Sequence, residues 1–350
     1  MNLRKLLLPF SWLYGMIISL RNVFYDAGIF SSKKFDVPVI CIGNLTTGGT
    51  GKTPHIEYLL RILKNNFIIA TLSRGYGRNT KGFIVAKPGM TTEILGDEPL
   101  QYSLKFPEVI ISVGENRARA IEKLLSAFPG IEIILMDDGF QHRAVKPGFS
   151  ILLTEYSNLF TKDHLLPAGN LRENKSGFKR ANVLVVTKCP ELNETEKQKI
   201  INEIAPLPLQ HVLFSHFCYD ELIPFSSTNA KINLSQLKEF QVLVLTGIAN
   251  PESIIEFMNA NVSHLHQVNF PDHHSFSKND IEALKKKFNN IVADKKIIIT
   301  TEKDFMRLKK ESLKELILDL PFYYLPVKVD FALNDKKILD EKILNYVRKN

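Results

Sequence analysis

Short apolar segments alternate with segments of helical periodicity along most of the chain. In the first part, apolar runs predict strands at residues 37–42, 67–72, 131–136, 151–154 and 183–187. Between them, apolar positions recur at helical spacing at residues 54–64 and 116–128. Strands that are apolar throughout are buried on both faces, and intervening helices cover them. This part therefore predicts an α/β fold around a mostly parallel sheet flanked by helices.

The same alternation resumes after residue 240 and predicts a second, smaller α/β domain. Its predicted strands are 242–246, 264–270, 297–301 and 322–327, and its predicted helices begin at residue 251 and span 278–288. The stretch between the two parts carries Pro206, Pro208 and Pro224 and has patchy alternation, which is typical of a connection. We therefore predict a larger domain at 31–210, linker strands at 211–240 and the smaller domain at 241–350.

Residues 6–20 contain no charged side chain; Arg4 and Lys5 precede them and Arg21 follows. The stretch is shorter than the roughly 20 apolar residues that a helix needs to cross a bilayer, and a proline and a glycine inside it weaken helix formation. Two interpretations remain open at this point. The segment is either a helix buried in the core, or residues 1–30 form a helix that lies in a membrane surface with its basic flanks near anionic headgroups.

Composition limits the compartment and the partners. The 350-residue chain carries 45 lysines and arginines against 37 aspartates and glutamates, a net charge of +8. This surplus favours anionic partners, but no motif that reads nucleic acid accompanies it, so we expect no nucleic-acid binding. The cysteines are Cys41, Cys189 and Cys218, and an odd number in a long chain argues against a disulfide framework. A reducing, cytoplasmic environment fits this pattern.

Residues 42–54 read IGNLTTGGTGKTP and lie between a predicted strand and a predicted helix. Glycines in such a loop let backbone N–H groups surround phosphate oxygens, and the helix N-terminus adds a partial positive charge. Lys52 then reaches the β- and γ-phosphates, and Thr53 offers its hydroxyl to Mg²⁺. The usual pattern, G-x-x-x-x-G-K-[ST], has glycine where this chain has Thr46. The predicted nucleotide-binding residues are Thr46, Thr47, Gly48, Gly49, Thr50, Gly51, Lys52 and Thr53.

The predicted strand 131–136 ends at Asp137 and Asp138, which Gly139 follows. A buried strand that delivers a carboxylate beside a phosphate loop has the form of a Walker B element. Either aspartate can then hold Mg²⁺, directly or through water, and the sequence leaves the choice open. An Asp-Gly pair after a strand is also a common turn, so the prediction depends on the phosphate loop upstream.

More charged and polar residues gather at predicted strand ends than a fold requires. They occur at 73–77, 96–99, 115–119, 141–143 and 169–173. Ligands of open α/β sheets bind outside the carboxyl ends of the strands, so we expect these segments to converge on one crevice. The second domain adds Asp272, His273 and His274 in the segment FPDHHSF. No further His or Cys lies at the spacing of a zinc site, so we expect no metal there.

Taken in order, the motifs resemble those of the tetraacyldisaccharide 4'-kinase family, the lipid A 4'-kinases of Gram-negative bacteria. The matching segments are GNLTTGGTGKTP, SRGYG, GDEP, ENRARA, DDGFQHR, PAGNLRE, TGIANP, FPDHH and TEKD. The resemblance implies transfer of the γ-phosphate of ATP to the 4'-hydroxyl of a tetraacyldisaccharide 1-phosphate to form lipid IVA. It also implies a P-loop kinase domain joined by short strands to a smaller domain that helps to form the cleft.

The substrate implied by this resemblance is a lipid-linked glucosamine disaccharide, and the implied location is the cytoplasmic face of the inner membrane. The N-terminal segment is similar to the family's membrane-associating helix, which favours the interfacial interpretation of residues 1–30. We expect a peripheral or monotopic monomer that requires ATP and Mg²⁺.

The resemblance further implies roles for particular residues. Asp97 in GDEP pairs with His273 in FPDHH across the cleft and acts as the base, because a sugar hydroxyl is a weak nucleophile near neutral pH. The implied catalytic residues are Asp97, His273, Lys52, Arg74 and Arg119, and the implied metal ligands are Thr53, Asp138 and Glu173.

The alternative is a binding switch of the same P-loop branch, namely a metallochaperone or a partitioning-type ATPase or GTPase. Such a protein is expected to be a dimer that hydrolyses nucleotide slowly without an acceptor. The pair Asp97 and His273 has no role in it.

Overall fold

The computed structural model describes residues 3–226 and 230–349 and shows two sheets within them. The strands before residue 220 are β1 (Val39–Asn44), β2 (Ile69–Ser73), β3 (Ile84–Val85), β4 (Ile110–Val113), β5 (Ile133–Asp137), β6 (Phe149–Glu155), β7 (Val183–Thr187) and β8 (His211–Tyr219). The later strands are β9 (Ile223–Pro224), β10 (Gln241–Thr246), β11 (His264–Asn269), β12 (Lys296–Thr301), β13 (Phe322–Leu325) and β14 (Val327–Phe331).

Among the described residues, nine strands form the larger sheet in the order β14-β8-β7-β6-β1-β5-β2-β4-β3. Its neighbours are parallel except for the outer pairs β14–β8 and β4–β3. In the same described ranges, five strands form the smaller sheet in the order β11-β10-β12-β13-β9, and β9 is antiparallel to β13. Each sheet with its covering helices is called a lobe below, the larger lobe and the smaller lobe. The predicted α/β class with two mostly parallel units is confirmed.

Helices cover both sheets. Before residue 210 they are α1 (Leu8–Asp26), α2 (Lys52–Leu63), α3 (Thr92–Leu95), α4 (Asp97–Lys105), α5 (Arg117–Ala127) and α6 (Glu194–Ile204). The later helices are α7 (Glu252–Asn261), α8 (Lys278–Asn289), α9 (Glu302–Leu308), α10 (Glu311–Leu318) and α11 (Leu333–Arg348). Short 3-10 segments lie at Leu3–Leu7, Lys175–Arg180 and Leu234–Glu239.

The central strand β1 shows how helices on both faces hold the larger sheet. Ile40 and Ile42 belong to one apolar cluster with side chains of α2. Val39 and Cys41 belong to a second cluster with side chains of α5. Successive side chains of a strand point to opposite faces, so this alternation requires cover on both sides. The carboxyl ends of β1 and β5, from which the candidate site is built, are therefore anchored in a fully packed layer.

The end of the chain corrects the predicted domain 241–350. We predicted one strand at 322–327, but β13 ends before Pro326 and β14 begins after it. β14 then pairs with β8 in the larger sheet, and α11 buries Leu339, Ile343 and Val347 in the core of that sheet. The last strand and helix thus belong to the larger lobe. The predicted linker 211–240 likewise contains β8, which is a member of the larger sheet.

Helix α1 lies on the surface of the larger lobe with its small and polar side inward. Ser11 Oγ donates a hydrogen bond to Leu165 O (2.9 Å), and Tyr14 Oη donates one to Arg172 O (2.8 Å). Gly15 is buried, and a Cβ there would lie 2.6 Å from Leu165 Cδ1. The apolar side chains point the other way and are exposed, namely Phe10, Trp12, Leu13, Met16, Ile17, Leu20 and Val23. The interpretation of this segment as a helix of the core is therefore wrong.

Among the residues that the structure describes, no helix combines the length and the apolar character needed to cross a bilayer.

Two buried glutamates and a partly exposed lysine connect the two lobes. Lys105 Nζ, at the end of α4, lies 2.6 Å from Glu57 Oε2 of α2 and 2.6 Å from Glu302 Oε1 of α9. Gln101 Nε2 donates a hydrogen bond to Glu57 Oε1 at 2.8 Å. Burial and the neighbouring charge of Glu57 raise the pKa of Glu302, and Lys105 offsets only part of this effect. The pair of carboxylates around one lysine makes this contact between lobes sensitive to pH.

Replacing Glu302 by glutamine is expected to reduce the pH dependence of stability. A carboxyl whose pKa rises on folding stabilises the folded state fully below its unfolded pKa of 4.5, and this contribution is lost as the pH rises through the raised pKa. Glutamine has the same size and does not ionise. We therefore expect a higher Tm than that of the wild type in mildly alkaline buffer and a flatter dependence of Tm on pH above 4.5.

Thermal melts followed by circular dichroism across this range test the prediction. The control is Glu282→Gln, a change at an exposed carboxyl of α8, which should leave the pH profile of Tm unchanged. A Glu302→Gln profile that overlies the wild-type profile would contradict the raised pKa.

Candidate active site

The predicted phosphate loop connects β1 to α2. Gly51 caps α2 with a φ of 84°, in the left-handed region that favours glycine, and Lys52 and Thr53 are the first residues of the helix. His55 Nδ1 donates to Gly51 O at 2.7 Å, and His55 Nε2 accepts from Ser215 Oγ at 3.2 Å. Burial lowers the pKa of His55 to about 4, so this imidazole is neutral. The loop therefore has the strand, turn and helix context that phosphate binding requires.

Lys52 extends toward the end of the neighbouring strand. Its Nζ lies 3.3 Å from Asn44 Oδ1 and 3.7 Å from Asp138 Oδ1. Asn44 Nδ2 in turn donates to Thr50 Oγ1 at 2.9 Å. The ammonium group is thus held between the loop and the carboxyl end of β5, the two elements that were predicted to bind a phosphate and its cation.

Asp138 is the accessible member of the aspartate pair, with 37% of its side chain exposed. Arg172 holds both of its oxygens, at 3.0 Å to Oδ2 and 2.7 Å to Oδ1. Burial raises the pKa of Asp138, but Lys52 and Arg172 outweigh this and keep the pKa well below its usual range. Asp138 is therefore an ionised carboxylate that faces the phosphate loop.

Asp137 is buried at the end of β5. Its Oδ2 accepts hydrogen bonds from Ser73 Oγ and Tyr102 Oη, both at 3.2 Å. Its Oδ1 is buried and has no hydrogen-bond partner in the described part of the chain. Burial, Glu98 and Asp138 together raise the pKa of Asp137 to about 6. The two adjacent aspartates therefore differ in the direction of their pKa shift as well as in exposure.

Glu173 is buried, with 2% of its surface exposed, and hydrogen-bond donors surround its carboxylate. Arg180 Nη2 contacts both carboxylate oxygens, at 2.9 and 2.8 Å. Gln141 Nε2 donates to Glu173 at 2.8 Å and also to Asn44 O at 2.8 Å, and Asn22 of α1 donates at 3.3 Å. Glu173 thus links α1 to the phosphate loop through Gln141, and its role as a metal ligand stays a prediction.

Asp97 and His273 are brought together at the junction of the lobes. Asp97 is the first residue of α4 in the larger lobe, and His273 follows β11 in the smaller lobe with a φ of 58°. His273 Nδ1 lies 3.4 Å from Asp97 Oδ2. The two residues are far apart in sequence, and their proximity is the contact on which the base assignment depends.

Arg307 of α9 is a member of this cluster that the sequence did not indicate. Its Nε and Nη2 each lie 2.7 Å from Asp97 Oδ2, and its Nη2 lies 3.1 Å from His273 Nδ1. Its Nη1 donates to Gly247 O at 2.6 Å. Burial raises the pKa of Asp97, but His273 and Arg307 outweigh it and lower the pKa below its usual value. Asp97 is therefore ionised at neutral pH.

Helix α4 connects the two halves of the site. It begins at Asp97, and its Tyr102 contacts Asp137 (3.2 Å) and forms a side-chain hydrogen bond with Thr53. Asp97 and Tyr102 are five positions apart, which corresponds to about 7.5 Å of helix. The acid at the lobe junction is therefore roughly one and a half helical turns from the tyrosine that contacts the phosphate loop.

The arginines differ in how they face the site. Arg74, after β2, and Arg119, on the first turn of α5, are exposed, and their catalytic roles stay predictions. Arg117 is buried and donates to Gly114 O and, at 3.4 Å, to Asp137 O. Arg172 lies in the polar segment 169–173, which the sequence predicted to be part of the crevice. No local sequence pattern predicts a role for Arg307, because its partners Asp97 and His273 belong to other elements.

A family model described as tetraacyldisaccharide-1-P 4'-kinase matches residues 3–348. The chain belongs to this kinase family. It is 44% identical to the tetraacyldisaccharide 4'-kinase of Bacteroides thetaiotaomicron over 100% of this chain and 94% of that relative. It is 48% identical to the tetraacyldisaccharide 4'-kinase of Flavobacterium psychrophilum over 99% of this chain and 98% of that relative.

A solved structure from the tetraacyldisaccharide 4'-kinase family has the same fold as this chain. LpxK from Aquifex aeolicus, crystallised in complex with ATP, matches with a TM-score of 0.76 at 30% identity and covers 99% of each chain. The family resemblance found in the sequence and the predicted fold class are both confirmed. Membership in this kinase family also favours a kinase over the alternative of a metallochaperone or partitioning ATPase.

Proposed function

We propose that this protein uses ATP to phosphorylate the 4'-hydroxyl of a tetraacyldisaccharide 1-phosphate, which gives lipid IVA in lipid A biosynthesis. The observation that carries the proposal is an ionised carboxylate, Asp97, beside an imidazole, His273, on the helix that also contacts the phosphate loop. Family membership supplies the identity of the acceptor.

ATP fits the loop between β1 and α2. The N–H groups at the start of α2 and the ammonium of Lys52 suit the phosphates, and the loop residues proposed to surround them are Thr46, Thr47, Gly48, Gly49, Thr50 and Gly51. The hydroxyl of Thr53 and the ionised carboxylate of Asp138 are oxygen donors of the kind that Mg²⁺ prefers. We assign Mg²⁺ to these two residues, with Glu173 nearby, and the ion would neutralise the charge of the β- and γ-phosphates.

Asp97 is assigned as the general base. The 4'-oxygen forms the new bond to the γ-phosphorus while the bond from that phosphorus to the bridging oxygen breaks, and its electrons leave with ADP. The hydroxyl proton passes to Asp97. The contacts of Arg307 and His273 are to Oδ2, so we assign the proton to Oδ1. Arg307 and His273 orient the carboxylate, and we propose that Arg74 and Arg119 add positive charge near the transferred group.

The direct test is phosphorylation of purified tetraacyldisaccharide 1-phosphate by detergent-solubilised protein with Mg-ATP. We expect the lipid to gain the mass of one phosphoryl group and ADP release to depend on the lipid. Slow nucleotide hydrolysis that is the same with and without the lipid would instead support the binding-switch alternative.

We also propose that α1 holds the protein on a membrane surface as a peripheral or monotopic protein, on the cytoplasmic face of the inner membrane. The exposed apolar side of α1 supports this, since contiguous apolar surface of that kind marks a contact with lipid or protein. Tyr14 and Asn22 on its inner side contact Arg172 and Glu173. The proposed membrane face is therefore next to the site, where an acylated acceptor would arrive.

The double change Trp12→Glu and Met16→Glu should release the protein from lipid vesicles. These side chains are 82% and 65% exposed and lie one helical turn apart. Burying an apolar side chain of this size contributes about 1.5–3 kcal/mol. Two are lost in this variant, so we expect partition to anionic vesicles to fall by at least roughly 100-fold.

Co-sedimentation with vesicles measures this effect. The matched control is Leu209→Glu with Val292→Glu, which places the same charges at apolar residues that are 88% and 93% exposed elsewhere. The control should bind as the wild type does. Equal loss in both variants would indicate a general charge effect and contradict the role of α1.

A further inference from the structure

Three side chains of types that bind transition metals meet on the strand pair β8–β14. His216 and Cys218 lie on β8, and Asp330 lies opposite His216 on β14. One ligand atom from each lies within 4.8 Å of the other two. Among the residues that the structure describes, this is the only group of three or more His, Cys, Asp or Glu with that property.

The backbone register produces this arrangement. His216 and Cys218 are two residues apart on one strand, so their side chains share a face of the sheet. Directly opposite residues of an antiparallel pair also share a face, with Cβ atoms about 4.5–5.5 Å apart. The three donors are therefore set by rigid strands rather than by a loop.

The donor set identifies the class of ion. A thiolate, an imidazole and a carboxylate together suit Zn²⁺ and similar borderline cations, whereas Mg²⁺ and Ca²⁺ prefer oxygen ligands alone. We propose that His216, Cys218 and Asp330 form a Zn²⁺-type site with a water as fourth ligand. On binding, the thiol of Cys218 releases its proton to solvent and its sulfur becomes a thiolate ligand.

The present contacts of His216, Cys218 and Asp330 allow the three donors to bind one ion. Tetrahedral ligands at about 2.0–2.3 Å from the ion are roughly 3.5 Å apart, so the donors must approach each other slightly, which side-chain rotation allows. Asp330 Oδ1 lies 3.3 Å from Lys336 Nζ, and both side chains are nearly half exposed, so this ion pair is weak and can be exchanged. Lys328, opposite Cys218, has its ammonium on Asp220 instead.

The proposed metal site lies on the two strands that connect the larger lobe to the smaller lobe. Within the described ranges, β8 and β14 are the strands through which the chain leaves the larger lobe for the smaller one and returns. An ion bound by residues of both strands would cross-link the two connections. This site is separate from the oxygen ligands proposed for Mg²⁺, and its test does not depend on kinase activity.

The experiment is a titration of tag-free, reduced and metal-free protein with Co²⁺ in excess Mg²⁺, followed by absorption. We expect one equivalent of Co²⁺ to give a near-ultraviolet sulfur-to-cobalt band and visible bands of tetrahedral Co²⁺, both removed by Zn²⁺. Cys218→Ser should abolish the sulfur band, and His216→Ala, a change at an exposed side chain, should weaken binding by at least about tenfold.

Cys189→Ser is the matched control, since it removes another partly buried thiol, and it should leave the spectrum unchanged. The proposal is overturned if the wild type shows no sulfur-to-cobalt band, or if the band persists in Cys218→Ser.

Discussion

Replacing Asp97 by asparagine should lower kcat by about 10²- to 10⁴-fold and leave the KM for ATP nearly unchanged, because general-base assistance acts in the transition state. Asparagine keeps the size of the side chain and can still accept a hydrogen bond from Arg307 Nε, which lies 2.7 Å from Asp97 Oδ2. It cannot take the proton of the sugar hydroxyl. Steady-state kinetics with lipid and Mg-ATP measure both constants.

The control for this variant is Asp280→Asn. Asp280 Oδ2 contacts His274 Nε2 at 3.1 Å, so the change removes a carboxylate from the other imidazole of the pair while the Asp97 cluster stays intact. We expect kcat close to that of the wild type. A small loss of kcat in Asp97→Asn, equal to that of Asp280→Asn, would remove Asp97 from the role of base.

Replacing Lys52 by alanine should lower kcat by roughly 10²- to 10³-fold and also raise the KM for ATP. Its ammonium lies 3.7 Å from Asp138 Oδ1 and 3.3 Å from Asn44 Oδ1, at the start of the helix that the phosphates would face. In the proposed binding mode it interacts with the β- and γ-phosphates before and during transfer, so both binding and turnover should depend on it. The measurement combines steady-state kinetics with direct binding of a nucleotide analogue.

Lys64→Ala is the matched control, because Lys64 lies at the opposite end of the same helix and pairs with Glu108 at 2.5 Å on the surface. It should leave both constants unchanged. If Lys52→Ala binds the analogue as tightly as Lys64→Ala does, the assignment of residues 46–53 as the phosphate loop is wrong.

The two main variants together separate the functions of the lobes. Lys52 belongs to the larger lobe alone, whereas Asp97 is held by His273 and Arg307 of the smaller lobe. Loss of Lys52 should therefore affect nucleotide binding whether or not the lipid is present. Loss of Asp97 should appear only in transfer to the lipid, which a binding switch without an acceptor would not show.

Features that depend on neighbours in the chain could be predicted from the sequence. The alternation of apolar runs and helical periodicity predicted the two sheets. The spacing of apolar residues along the chain indicates whether a strand or one face of a helix is buried. The loop at 42–54 was predictable for the same reason, because its glycines, its lysine and the following helix are contiguous. The segment at 137–139 also followed from its place at the end of a buried strand.

Other features were decided by contacts between distant parts of the chain. The sequence placed 327–348 with the smaller domain, but pairing of β14 with β8 returns it to the larger lobe. The apolar run of α1 did not show which side faces the protein, and Ser11 and Gly15 decide that only through their fit against Leu165.

The arginines show most clearly the difference between what local sequence predicts and what contacts between distant residues decide. Arg119 and Arg117 are equivalent in a sequence motif, yet the structure buries Arg117 and exposes Arg119. Arg307 has no local signal, although it contacts both Asp97 and His273. The physical reason is that a local sequence pattern indicates which apolar side chains are buried. An apolar side chain gains from burial against almost any apolar neighbour. The pairing of a buried charge requires one particular partner, and only the tertiary structure brings that partner within reach.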